Sequence, residues 1–119
     1  MNFTGLPQSC PPTPHDVHEL TDVWRILAAT AASPYDWQSH QQRGKPVPAG
    51  ADACKWSSMS LTRNPKAALS LRNLAHLSHA AKLAIPAGAG AHKSKKSHVD
   101  FWPAAGTDIS QFVVAVEEV

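Results

Sequence analysis

Ten prolines are spread along this chain of 119 residues, and they limit every regular element to a short stretch. Proline has a fixed φ angle and no N–H group, so it begins helices and stops strands rather than lying inside them. Prolines cluster over residues 7–14 and 34–48, and single prolines follow the apolar runs that end at Ile85 and Trp102. A chain of this length forms one domain. We therefore expect an extended segment over residues 1–12 and a single domain over residues 13–119.

Composition favours a folded protein without identifying its function. Apolar residues make up 43% of the chain and charged residues 17%, which argues against disorder. The formal net charge of +2 is too small to imply a nucleic-acid partner by itself. The N-terminus lacks the basic start and apolar core of a signal peptide, and no stretch approaches the roughly 20 apolar residues of a membrane span. The expected location is therefore the cytoplasm, without membrane contact.

The chain has two cysteines, Cys10 and Cys54. They could form a disulfide, but two cysteines in a chain without an export signal are more often free thiols. Neither lies in a CxxC motif of the kind found at redox sites and zinc sites. We therefore expect both cysteines to be free and structurally incidental.

The first apolar segment fits two structures. Thr13 and Pro14 are typical of a helix N-cap and the first helical position, and apolar residues then follow at helical spacing. These residues are Val17, Leu20, Trp24 and Leu27. The alternative ends the helix near Thr21 and makes Asp22–Ala28 a strand, because β-branched and aromatic residues favour strands. The helix is favoured over the first half of the segment, and Val23–Ala28 stays open.

The remaining pattern predicts an α+β domain. Asn64 and Pro65 form the strongest helix start, and an apolar stripe extends this helix from Pro65 to about Ala80. Strands are predicted at Lys55–Leu61, Ala81–Ile85, Val99–Trp102 and, against a helical alternative, Ile109–Val116, with loops at Ser33–Ala53 and residues 92–98. The expected fold is two helices packed on a small, mainly antiparallel sheet of about three to five strands.

One predicted loop concentrates positive charge. Its five potential cations are His92, Lys93, Lys95, Lys96 and His98. Such clusters attract phosphate groups without sequence readout, and the nearby Phe101 and Trp102 could stack on bases. Gly88 and Gly90 precede the loop, but a nucleotide-hydrolysing phosphate loop needs glycine directly before the lysine and a helix after it. The sequence therefore allows weak polyanion binding through residues 92–98 and disfavours nucleotide hydrolysis.

Other combinations of chemically active side chains are weak. Two histidine pairs have the three-residue spacing that places both rings on one helix face, namely His15 with His18 and His76 with His79. No dense ligand motif supports either pair as a metal site. Ser58 does not lie in a GxSxG motif, so it lacks the setting of an activated nucleophile. We expect no bound metal.

An arginine, a serine and a glutamate follow one another at wide spacing. Arg25 lies in VWRIL, Ser58 and Ser60 lie in WSSMSL before a predicted helix, and Glu117 or Glu118 comes near the end. This order resembles the Arg–Ser–Glu pattern of ADP-ribosyltransferase-like domains. The resemblance implies an arginine on the first core strand, a serine that opens a second strand near the nicotinamide ribose of NAD, and a glutamate that activates the acceptor or orients the ribose. It assigns catalysis to Arg25, Ser58 and Glu117.

Three classes of function follow. A binding module that acts through a protein partner is favoured, because no catalytic combination is convincing and the four tryptophans can supply interface anchors. Such a module needs no cofactor. An NAD-dependent, ADP-ribosyltransferase-like enzyme or a degenerate relative of one is the first alternative. A weak nucleic-acid binder is the second.

Overall fold

A computed structural model describes residues 1–27, 34–72 and 79–118, and it centres on one six-stranded sheet. The strands are β1 (Leu20–Leu27), β2 (Met59–Thr62), β3 (His79–Ile85), β4 (Gly90–Lys95), β5 (His98–Pro103) and β6 (Val113–Glu118). Their order across the sheet is β4-β5-β2-β1-β3-β6, and every neighbouring pair is antiparallel. β1 and β2 pair at a single position, Trp24 with Thr62. The sheet therefore consists of two three-stranded halves that meet at β1 and β2.

The predicted α+β fold with two helices on a small sheet is wrong, because the fold is mostly sheet. The described helices are α1 (Ala53–Trp56) and α2 (Pro65–Arg72), and 3-10 turns lie at Pro34–Trp37 and Ile109–Phe112. Six strands replace the three to five expected. Within the described residues, no helix is long and apolar enough to cross a membrane.

The predicted N-terminal helix is also wrong, and a β-bulge explains the error. Leu20 and Val23 are three residues apart but pair with Ile85 and Leu83, which are two apart. The extra residue is accommodated where Asp22 adopts a positive φ of 54°. Both apolar side chains therefore face the core from one bulged strand, and their spacing imitates a helix. The strand alternative for residues 22–28 is correct as far as Leu27, and Ala28 lies outside the described residues.

Several other boundaries differ from those predicted. Asp52 caps α1 by accepting hydrogen bonds from Cys54 N and Lys55 N, so β2 begins at Met59 and not at Lys55. Asn64 caps α2 as predicted, since its Oδ1 accepts from Ala67 N at 3.1 Å. The helix end predicted near residue 80 is wrong because residues 79 and 80 belong to β3. Residues 73–78 lie outside the described part of the chain.

Farther along the chain, the predicted strands agree with the structure better than the predicted loop does. Strands are present over 81–85 and 99–102, as predicted. The strand predicted over residues 109–116 begins only at residue 113, after a 3-10 turn. The loop predicted over residues 92–98 is wrong, because β4 and β5 form a hairpin whose turn lies at Lys96 and Ser97.

The core lies on one face of the sheet. Its buried side chains are those of Leu20, Val23, Met59, Leu61, Leu83, Ile85, Ala89, Val99, Phe101 and Ile109, and those of Trp37, Phe112 and Val113 pack against them. Trp102 is buried on the opposite face, where its Nε1 donates to the Cys54 carbonyl at 3.1 Å. The two 3-10 turns thus cover the core face, and α1 covers Trp102.

The N-terminal segment is tied to the sheet covalently and by hydrogen bonds. Cys10 and Cys54 form a disulfide with Cα atoms 5.5 Å apart, so the expectation of free thiols is wrong. Sequence alone did not show that the two residues meet. Asp16 forms an isolated antiparallel bridge with His92, which covers part of the outer edge of β4.

Candidate functional site

Arg25 lies where the two halves of the sheet meet. Its Nη1 donates to the Ser60 carbonyl of β2 at 2.9 Å, while Nε and Nη2 donate to the carbonyls of Asp36 and Gln38 at 2.8 and 3.1 Å. One guanidinium therefore joins β1 to β2 and fixes the backbone on both sides of Trp37. The rigid fork of arginine suits this arrangement because it presents several N–H donors in one plane.

A cleft of about 320 Å³ opens beside Trp37 on the core side of the sheet. Trp37, Ser39, Gln41 and Gln42 form one wall of this cleft. The start of β2 contributes Met59, and the segment before the second 3-10 turn contributes Asp108. The segment that Arg25 holds in place thus forms one wall of the cleft, and residues 4–6 and 103–109 form most of the rest.

The wall segment is fixed by further contacts. Ser39 N donates to Gln42 Oε1 at 2.8 Å, and Gln41 Nε2 donates to the Gly5 carbonyl at 2.8 Å. The His40 ring stacks on Trp56 of α1 with ring centres 4.2 Å apart. These contacts order a loop that carries amide, hydroxyl and aromatic groups, which are the groups that recognise polar ring ligands.

Asp108 is the carboxylate at the cleft. It is exposed, and its Oδ1 accepts from Ser110 N at 3.0 Å and Ser110 Oγ at 2.6 Å. The described lining contains no lysine or arginine. The cleft therefore suits a neutral or positively charged polar group better than a phosphate.

Ser58 directly precedes β2 and belongs to a buried cluster of polar side chains. It is 4% exposed, and its Oγ contacts the Lys55 carbonyl at 2.7 Å and Asp100 Oδ1 at 3.2 Å. His98 Nε2 lies 2.9 Å from the same carboxylate oxygen. Burial opposes ionisation of Asp100, but the hydrogen bond and positive charge of His98, with Ser58 and Lys55, hold the pKa of this carboxyl below its ordinary value. This geometry stabilises an ionised Asp100, and the lowered pKa makes this carboxylate a weak base toward the buried Ser58.

The structure does not gather the three residues of the Arg–Ser–Glu pattern in one pocket. Arg25 and Trp24 are adjacent on β1, so their side chains lie on opposite faces of the sheet. Glu117 accepts from Trp24 Nε1 at 3.3 Å and so lies on the face opposite Arg25. Glu118 pairs with His79 in the outer ladder. The catalytic roles of Arg25, Ser58 and Glu117 stay predictions from the resemblance.

The predicted basic loop is divided between the two faces of the hairpin. Lys93 and Lys95 alternate with His92 and Ser94 along β4. The two lysines therefore project from one face of the hairpin, and His92 and Ser94 from the other. His92 is buried, and its Nε2 lies 3.1 Å from the His18 carbonyl. Lys96 is in the turn, and His98 is bound to Asp100. Phe101 and Trp102 are each 1% exposed, which excludes the base stacking expected of them.

Sequence reasoning missed one cation of this surface. Arg63 follows β2, and its Nη1 donates to Ser94 Oγ at 2.9 Å while its backbone N donates to the Ser97 carbonyl at 2.8 Å. Only the pairing of β2 with β5 brings Arg63 to the hairpin, and no local pattern shows that pairing.

Of the two predicted histidine pairs, the structure describes both members of one, His15 with His18. His15 lies near the Pro12 carbonyl and His18 binds Asp16, while His76 falls outside the described residues. Across the described ranges, no three histidine, cysteine or acidic side chains are placed to hold a metal ion. The backbone hydrogen bond from His18, with its side-chain bond and charge, holds the pKa of Asp16 below its ordinary value.

Family models, curated proteins and solved structures were all compared with this chain, and none matches it.

Proposed function

We propose that this chain is a nicotinamide-dinucleotide-binding domain of ADP-ribosyltransferase-like organisation. The resemblance implies an arginine on the first core strand, serines at the opening of a neighbouring strand and a helix after them. Arg25 lies on β1, Ser58 directly precedes β2, Ser60 lies within it, and α2 follows. The observation that carries the proposal is the Arg25 guanidinium, which bonds Ser60 and holds the loop that forms the cleft.

The cleft fits the nicotinamide ribose half of NAD. The oxidised nicotinamide ring is positively charged, so it is attracted by the Trp37 indole and the Asp108 carboxylate. Gln41 and Gln42 line the cleft, and beyond the bonds of Gln41 Nε2 to Gly5 and of Gln42 Oε1 to Ser39, the other polar atom of each amide can bond a carboxamide or a ribose hydroxyl. A cleft of about 320 Å³ lies at the small end of ligand sites, and its described lining has no cation for a pyrophosphate. In this proposal the adenylate half lies outside the cleft.

Within this proposal Arg25 is a positioning residue, because its donors are directed to backbone carbonyls. NAD, when bound, would supply an ADP-ribosyl group for transfer. Asp108 is the carboxylate that this chain places at the cleft, whereas Glu117 lies on the other face of the sheet. We therefore propose that the cleft binds NAD.

The test is an NMR titration of the labelled protein with NAD and with NADH, up to about 1 mM, where weak binding shows. We expect NAD to shift the signals of Trp37, Gln42 and Asp108, and to bind more tightly than NADH, whose reduced ring carries no positive charge. Asp108→Asn keeps a residue that can cap the turn and removes the charge, so it should weaken NAD binding and leave NADH binding unchanged.

Asp52→Asn is the matched control, because Asp52 also caps a helix end with an exposed carboxylate but lies outside the cleft. It should leave NAD binding unchanged. The proposal fails if NAD produces no localised shifts at the cleft, or if both variants weaken binding equally.

A second candidate function is binding of a protein partner by strand addition at β6. Among the described strands, β6 pairs with β3 alone, and Val114 and Val116 are 60% and 46% exposed. An edge strand offers unpaired N–H and C=O groups to an extended segment of another chain. Glu117 and Glu118 favour a segment that carries lysine or arginine beside apolar residues.

Replacing Val114 and Val116 by lysine should abolish binding of an extended Val/Lys-rich peptide, because edge lysines block strand addition and repel the peptide. The matched control replaces Val17 and Val47, which are also exposed, by lysine. Fluorescence anisotropy of the labelled peptide measures its binding to both variants. Equal loss in the two variants, or self-association through β6 in light scattering, would contradict this candidate.

A further inference from the structure

We infer that the corner where β2 meets the β4–β5 hairpin binds the phosphate backbone of duplex nucleic acid. This basic corner comprises Arg63, Lys93, Lys95 and Lys96, all exposed. The strand register sets Lys93 opposite Asp100 and Lys95 opposite His98, so both lysines project from one face of the hairpin. The inference is independent of the cleft, because none of these four residues lines it.

Two carboxylates lie near the basic corner, and each is bound to a histidine. Asp100 is buried on β5 and contacts His98 and Ser58. Asp16 bridges to His92 at the outer edge of β4, and its side chain binds His18. By contrast, Lys82 on β3 pairs with Asp22 at 3.4 Å. Among the described residues, no salt bridge involves any cation of the basic corner.

The arrangement favours a regularly charged backbone as the ligand. Side chains two residues apart on a strand are about 6.8 Å apart, which equals about two steps of rise along one strand of a duplex. Arg63 donates to Ser94, which alternates with the two lysines along β4, so its charge lies at the edge of the other face and Lys93, Lys95 and the turn residue Lys96 carry the charge of the lysine face. Lysine and arginine contacts of this kind bind phosphates without reading bases.

The buried aromatics select a duplex over a single strand. Single-stranded nucleic acid is bound by aromatic side chains on which bases stack. Phe101 and Trp102 are both buried, so the hairpin offers no stacking platform. A duplex keeps its bases stacked and presents phosphates to the protein. The cationic side chains of the basic corner can bind these phosphates.

The test measures binding of a fluorescent duplex DNA of about 20 base pairs between about 50 and 200 mM salt. Contacts to three or four phosphates predict a slope of log K against log salt of about −3 to −4. The variant Lys93→Gln/Lys95→Gln/Lys96→Asn removes three charges, and asparagine suits the positive φ of 57° at Lys96. We expect it to lose binding about 10- to 100-fold at low salt and to flatten the slope by about 3.

The charge-matched control is Arg43→Gln/Lys45→Gln/Lys82→Gln, which removes three charges away from the basic corner. It should retain most of the binding and the slope, with both variants checked for native circular dichroism. Equal loss in the two variants would overturn the inference, because net charge alone would then explain binding. Tighter binding to a single strand, or to phosphatidylserine vesicles than to the duplex, would overturn it as well.

Discussion

The guanidinium of Arg25 bonds carbonyls from two segments that are distant in sequence, at residue 60 and at residues 36 and 38. Arg25→Lys keeps the charge but replaces a planar fork by a single ammonium, which cannot reach three carbonyls in those directions. Leaving part-buried acceptors unpaired costs about 1–3 kcal/mol each, so we expect a loss of about 3 kcal/mol in the free energy of unfolding. Urea denaturation measures it.

Arg63→Lys provides the comparison for that prediction. Arg63 is exposed, and its side chain donates to the hydroxyl of Ser94. A surface hydrogen bond contributes about 1 kcal/mol or less, so this variant should be nearly as stable as the native protein. Similar losses of unfolding free energy in Arg25→Lys and Arg63→Lys would contradict the structural role assigned to the Arg25 guanidinium.

Asp100 makes stability depend on acid pH. Because its folded-state pKa lies below the ordinary value of 3.8, the stabilisation is fully present above that pH and is lost as pH falls through the folded pKa. Asp100→Asn should therefore be less stable than the native protein near neutral pH and lose less stability between about pH 4 and pH 2. Thermal denaturation across this range measures both effects. Parallel pH profiles for the two proteins would contradict the prediction.

At the level of elements, local sequence patterns located most of the strands. The strand over 81–85 ends at Pro86, and that over 99–102 lies just before Pro103, so proline and β-branched residues identified them. The α2 start was also evident, since Asn64 caps and Pro65 opens the helix. These features depend on neighbours along the chain, which a sequence shows directly.

The remaining elements depend on partners that are far away in sequence. The bulge at Asp22 exists because β1 must match the register of β3, so the spacing of Leu20 and Val23 alone favoured a helix. The hairpin over residues 90–103 was hidden by its lysines, which are typical of loops but here lie on an edge strand. Neither the cleft nor the contact of Arg63 with Ser94 could be predicted without strand order.

Gly90 permits the close pairing of β4 with β5. A Cβ atom at this position would lie 2.4 Å from the Trp102 carbonyl oxygen and 2.5 Å from Phe101 Cζ. Gly90→Ala should therefore lower the free energy of unfolding by about 3 kcal/mol or more, since neither the backbone nor the buried ring can move freely. Gly50→Ala is the control. Open space surrounds Gly50, so only its positive φ makes the substitution unfavourable, at a cost of about 1 kcal/mol. Chemical denaturation of both variants measures the difference.

At the scale of the whole molecule, the disulfide joins residues 44 positions apart. Closing a loop of this length stabilises the folded state by about 3–4 kcal/mol, mainly by restricting the unfolded chain. Cys10→Ser/Cys54→Ser should lose about that amount in urea denaturation, and the native protein should show the same loss when a reductant is present. A reductant that destabilises the double variant equally would contradict the prediction.

The disulfide also closes residues 10–54 into a covalent ring that contains β1 and the wall of the cleft. Residues 44–53 are all exposed, so this stretch is where a protease reaches the ring. A single cut there opens the ring without releasing a fragment. The nicked molecule gains one water in mass and migrates as one band until a reductant separates its two pieces. One piece carries β1 and the other carries β2 to β6, so while the disulfide is intact it keeps the parts of one sheet at the high effective concentration of a tethered pair.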